Sequence, residues 1–136
     1  SKGKALFEGN VGYENGEVIA VFTPYSETNP APDSLTKSVS MDVNVNLNAY
    51  TQGYLSNKYN FNVGDQIGLN IRISPNAQSP VGLYDRNTNS FSYPVDNGSA
   101  TGWNGTLTVG KAGLNSLAFF NESAVTANCS GTYTLP

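Results

Sequence analysis

The chain has 136 residues, enough for one domain, and sets 7 Lys and Arg against 10 Asp and Glu for a net charge of −3. Charged residues make up 12%, about half the ~25% of an ordinary soluble domain, so a basic face for nucleic acid or a polybasic membrane anchor is excluded. With no His and a single Cys, Cys129, the chain offers no Ser-His-Asp or Cys-His catalysis, no His-ligated zinc, no internal disulfide and no multi-cysteine metal cluster.

From the N-terminus, residues 4–13 and 17–23 read as a hairpin turning on Asn15-Gly16, a dipeptide that accepts the positive φ angles of a type I′ turn. The continuous apolar run Val18–Phe22 suits a strand covered on both faces. Asn29-Pro30-Ala31-Pro32-Asp33 is a rigid loop. Val39–Ala49 follows with strict alternation: Val39, Met41, Val43, Val45, Leu47 and Ala49 on a core face, Ser40, Asp42, Asn44, Asn46 and Asn48 on a polar one. This segment is expected to be the central strand. Its three amides form a polar ladder suited to hydroxyls, to a trimer axis or to solvent.

Val63-Gly64-Asp65 is a tight turn into a second alternating strand, Ile67, Leu69, Ile71, Ile73 against Gln66, Gly68, Asn70, Arg72. Ser74-Pro75-Asn76 and Ser79-Pro80 close it and open Val81–Tyr84; Arg86–Asn89 is a hairpin turn leading to Phe91-Ser92-Tyr93. Residues 94–105 are expected to be the longest polar loop, before strands Thr106–Val109, Leu114–Phe120 and Thr132–Leu135. The pattern predicts one all-β domain spanning residues 1–136, an antiparallel β-sandwich or jelly roll of about eight to ten short strands with little or no helix.

The polarity is neutral: eighteen Asn and fourteen Gly, with many Ser and Thr. This suits an extracellular or virion surface, and no apolar run long enough for membrane insertion is present. Four Asn-x-Ser/Thr sequons occur, at Asn97, Asn104, Asn121 and Asn128. No pair of carboxylates is selected by spacing for catalysis, so a binding or structural role is expected. A sugar site needs a flat aromatic face for the pyranose ring and amides or carboxylates for its hydroxyls. Trp103, in the Gly- and Asn-rich stretch, is expected either to be the stacking platform, with Asn104, Asp96, Asn97, Tyr84 and Tyr93 as its companions, or to cap the open end of the sandwich. Calcium is the one cofactor considered, through Asn121, Glu122, Thr126 and Asn128 or through Asp96-Asn97-Gly98-Ser99, since oxygen-rich loops are what it takes.

The stretches Gly53-Tyr54-Leu55-Ser56, Phe61-Asn62-Val63-Gly64-Asp65-Gln66-Ile67, Pro80–Asp85, Gly102–Val109 and Leu117–Asn121 form a pattern that resembles jelly-roll modules of bacteriophage tail-fibre, baseplate and receptor-binding proteins and of some bacterial surface adhesins. That resemblance implies host-surface saccharide recognition by a multimeric, often trimeric, non-enzymatic domain. The segment Asn121–Tyr133 is also similar to the last loop and strand of calcium-dependent galactophilic bacterial lectins, although Cys129 and Ser130 stand where a pair of amide ligands is expected. The alternative role is a self-assembling subunit of a filament, pilus or capsid, polymerising by strand exchange through the chain ends, Lys4–Gly9 or Thr132–Leu135.

Overall fold

The computed structural model describes residues 5–7, 20–31, 39–75, 81–93 and 102–136. Every regular element among them is a strand: β1 (Ala5–Phe7), β2 (Ala20–Pro24), β3 (Ser40–Leu47), β4 (Gln52–Leu55), β5 (Tyr59–Phe61), β6 (Gln66–Ser74), β7 (Val81–Asp85), β8 (Ser90–Ser92), β9 (Gly102–Val109), β10 (Gly113–Phe120) and β11 (Ala127–Thr134). The expected all-β sandwich forms, with eleven strands among the described residues against an expected eight to ten. The additions are β4 and β5, too short to show a period of two.

Two antiparallel sheets result. One is six-stranded, ordered β1-β4-β10-β7-β8 with β5 also pairing the start of β10; the other is five-stranded, ordered β2-β9-β6-β11-β3. Within them, β3-β11-β6-β9 packed on β4-β10-β7-β8 is the double Greek-key connectivity of a jelly roll. Alternation turns one set of side chains from each sheet inward. Val43, Val45 and Leu47 of β3, Ile67 to Ile73 of β6 and Leu107 of β9 share one buried cluster with Leu55, Val81, Leu83, Leu117 and Phe119 of the other sheet. Each such side chain contributes roughly 1.5–3 kcal/mol by leaving water.

The turns follow their local chemistry. Gly64 takes φ 90°, while Asp65 Oδ2 accepts the N–H of Asn62 (2.8 Å), closing the turn into β6. Asp85 Oδ1 accepts the N–H groups of Asn87 (2.8 Å) and Thr88 (3.2 Å) and so shapes the hairpin between β7 and β8.

Strand order departs from expectation in three places. Among the described residues β3 is an edge strand, not a central one; alternation reports which face a residue takes and carries no information on how many neighbours the strand has. β1 pairs with β4 and β2 with β9, in different sheets, so the described ends of the expected N-terminal hairpin do not pair with each other; its Asn15-Gly16 turn and the rest of residues 8–19 lie outside the described residues. Among the described residues β2 is also an edge strand, and Val21, 51% exposed, opens its outer face to solvent; Val18 and Ile19 of the expected run lie outside the described residues. At the other end of the chain β11 lies between β3 and β6, its register complete on both sides. It offers no free edge for strand exchange.

Candidate functional site

The strand β9 begins at Gly102, earlier than expected, and this decides the fate of Trp103. In register with Ile71 of β6, Trp103 points inward and is 2% exposed, with the ring of Phe22 edge-on against it at 4.5 Å and 87°. Gly105 makes room for that contact, since a Cβ there would meet the Phe22 ring at 2.7 Å. The indole is a core residue and presents no face to a sugar. The Gly-rich composition of residues 102–106 conceals a strand in which Trp103 and Gly105 face the core and Asn104 faces out.

Tyr84 and Tyr93 are corrected likewise. Both are buried on the outer side of the six-stranded sheet, in a second cluster with Tyr54, Phe91, Ala118 and Phe120. Tyr54 and Tyr84 stack at 3.9 Å and 3°, and the Arg86 guanidinium sits 4.9 Å over the Tyr54 ring. Tyr93 donates to Gln52 Oε1 (2.9 Å), while the buried Gln52 Nε2 has no partner. These rings are committed to one another. Asp96 and Asn97, with the calcium candidate Asp96–Ser99, lie outside the described residues.

The polar constellation is instead on the outer face of the five-stranded sheet. Cross-strand registers set Thr23, Thr106, Gly68, Thr134 and Ser40 in one row; Asn104, Asn70, Thr132 and Asp42 form the next, and Gly102, Arg72, Ser130 and Asn44 the third. Gly68, lacking a side chain, leaves a depression between its neighbours. A groove of about 470 Å³ opens there, lined by Tyr25, Ala31, Ser40, Gly68, Leu69, Asn70, Asn104, Thr132 and Thr134. A second hollow of about 310 Å³, over Asn70, Arg72, Ser130, Gly131 and Thr132, continues it along the sheet. At Gly131 (φ 144°) a Cβ would collide with the carbonyl oxygen of Asn70, so β11 can lie this close to β6 only with glycine there.

The aromatic wall of this groove is Tyr25. Its N–H donates to Asn104 O (3.1 Å) and its hydroxyl accepts from Thr106 Oγ1 (3.1 Å). The following loop is self-bonded, with Asn29 Nδ2 donating to Pro24 O (2.8 Å) and Ser26 N–H to Asn29 O (2.8 Å). Of the expected ligand residues that are described, only Asn104 is here, exposed on β9. Sequence reading places Ser40 and Asn70 on polar strand faces, gives Thr132 only as the start of a strand, and passes over Tyr25. Nothing local signals that residues 25, 70, 104 and 132 meet.

The proposed calcium loop is organised differently. Asn121 is fully buried; its Nδ2 donates to Leu47 O (3.1 Å), Asn48 O (3.2 Å) and Val125 O (2.7 Å), and its Oδ1 accepts from Ser123 N–H (3.0 Å) and Oγ (2.7 Å). Its oxygen is spent on the turn, and the Asn121 side chain is buried in the folded domain. Asn128 turns toward β3, where its Nδ2 donates to Asn44 Oδ1 (2.8 Å) and Asn46 Oδ1 (3.0 Å). Glu122 and Thr126 are exposed, and among the described residues no three His, Cys, Asp or Glu gather as a metal set. Cys129 is buried in the core. At one end of the sandwich the Tyr59 and Tyr133 hydroxyls meet at 2.6 Å; burial, and then the bond to Tyr59, push the Tyr133 phenol well above its ordinary range.

No known protein family, curated protein or solved structure matches the chain.

Proposed function

We propose that this domain is a non-enzymatic saccharide-binding module of an extracellular or virion surface, and that the sugar lies in the groove on the outer face of the five-stranded sheet. The carrying observation is the lining itself: neutral amides and hydroxyls from Asn70, Asn104, Thr132, Thr134 and Ser40, a glycine floor, and one tyrosine wall. Sugars present many hydroxyls and no charge, so a row of amides that both donate and accept suits them, and an aromatic wall suits the C–H face of the ring. The continuation over Arg72 and Ser130 gives room for a second residue of an oligosaccharide. Asp65 and Asp85 accept turn N–H groups, which supports a binding role over acid–base chemistry.

The test is a glycan array followed by calorimetry on the best ligand. Asn70→Ala and Asn104→Ala each weaken binding about threefold to tenfold, the worth of one hydrogen bond, with thermal stability unchanged. Tyr25→Ala weakens it further, whereas Trp103→Phe leaves affinity intact. An array that stays blank at high protein concentration, or a ligand whose affinity ignores all three groove variants, overturns the reading.

A further inference from the structure

Among the described residues, β3 pairs with β11 along its whole length and has no strand on its other side. Val39 O accepts the N–H of Leu135 (2.9 Å) from the β11 side. Backbone groups alternate sides in an antiparallel pair, so the N–H and C=O groups of Ser40, Asp42, Asn44 and Asn46 point to the open side. Exposed edges usually carry Pro, Lys, a bulge or a very short strand. The opposite edge ends in Pro24 and β8 has three residues, but β3 runs eight residues in unbroken register without Pro or Lys.

We propose that β3 is a self-association edge, pairing antiparallel with β3 of a second copy about a two-fold axis at Asn44. The sequence of the edge selects that occupant. In this register Val43 faces Val45 and Met41 faces Leu47 on the core side, apolar against apolar in both directions. On the outer side Asp42 faces Asn46. Because Asn46 Oδ1 already accepts from Asn128 (3.0 Å), its amino group is left to donate, and no described residue takes it. A carboxylate, which only accepts, is its complement. Centring the axis on Asp42 instead would oppose two carboxylates, a destabilising pair. The two five-stranded sheets become one of ten strands, with the β6 strands of the copies about 24 Å apart, five strand spacings. The consequence that two sugar grooves then share one face, giving avidity, rests on the proposed function; the pairing does not.

Sedimentation over a concentration series tests it, with circular dichroism confirming that each variant folds. The wild-type chain forms a dimer. N46K sets an ammonium opposite Asp42 twice per dimer and lowers the dissociation constant about tenfold, while N46D sets a second carboxylate there and raises it about tenfold. The double variant D42K/N46D exchanges the charges and recovers the dimer. A wild-type chain that stays monomeric at every soluble concentration overturns the proposal. So does a dimer that N46K and N46D shift in the same direction or leave unmoved. A dimer that responds as stated but binds no sugar upholds the pairing and removes the groove reading.

Discussion

On the outside of the six-stranded sheet, Tyr54, Tyr84, Phe91, Tyr93, Ala118 and Phe120 pack into a cluster whose members are at most 9% exposed. On the outside of the five-stranded sheet, Asp42, Asn44, Asn46, Asn70, Arg72 and Asn104 are all exposed. Both faces arise from the same alternation along a strand; what differs is the side chains in the outward positions. Aromatic rings gain by leaving water and by stacking, as Tyr54 and Tyr84 do, so they become part of the load that holds the fold. Amides and hydroxyls gain almost nothing by burial and stay available to a partner. One outer face therefore works for stability, and the other is the face proposed for recognition. Variants on the two faces separate these roles.

The largest effect is expected from the rings. Tyr84→Ala removes a side chain stacked on Tyr54 and packed on Phe91, and Trp103→Ala empties a core site; each lowers unfolding free energy by about 3–5 kcal/mol in urea titration. A smaller loss for Tyr84→Ala would mean that the aromatic face is not structural. Next comes Asn121→Ala. It takes one donor from the carbonyls of Leu47, Asn48 and Val125 and the acceptor from the Ser123 N–H, leaving Asn48 O to Thr51 and Val125 O to the Ser123 hydroxyl, and is expected to cost about 2–3 kcal/mol by the same assay.

Alkaline pH should have a graded effect. The Tyr133 phenol is raised in the folded state, so below the unfolded value of about 10 both states hold the proton and nothing changes. Above it the unfolded chain loses the proton first, and stability falls by up to about 1.4 kcal/mol per pH unit. Tyr133→Phe should shallow that decline, measurable as midpoint against pH. The smallest effect is expected on the polar face. Asn128→Ala releases Asn44 and Asn46 into water, where they hydrate, and should move stability by no more than about 0.5 kcal/mol. A cost like that of Asn121→Ala would erase the contrast between the faces.

Much of the architecture was legible beforehand. The alternation in Val39–Ala49 and Gln66–Ile73 correctly separated inward Val43, Val45, Leu47, Ile67, Leu69, Ile71 and Ile73 from outward polar residues. The turns at Val63–Asp65 and Arg86–Asn89 were legible because Gly64, Asp65 and Asp85 act within a few residues of themselves. The candidate site was barely legible. Asn104 was placed in it, but Trp103, its neighbour, was assigned to the same surface when a strand must send the two to opposite sides. Two glycines flanking the indole suggested a loop; in the fold Gly105 clears space for Phe22 to meet Trp103, a contact across 81 positions of which composition holds no trace.

What the chain determines by itself is local: a period of two that makes strands, apolar sets that must find a second sheet, and a neutral, amide-rich remainder. Strand order is not local. β6 pairs Ser74 with Asn128, and β9 brings Asn104 beside Asn70; these registers are chosen by the packing of the whole core. The groove beside Tyr25, the inward turn of Trp103 and the open edge of β3 all follow from that choice, because a side chain's face is set by its own strand while its neighbours are set by strands far along the chain.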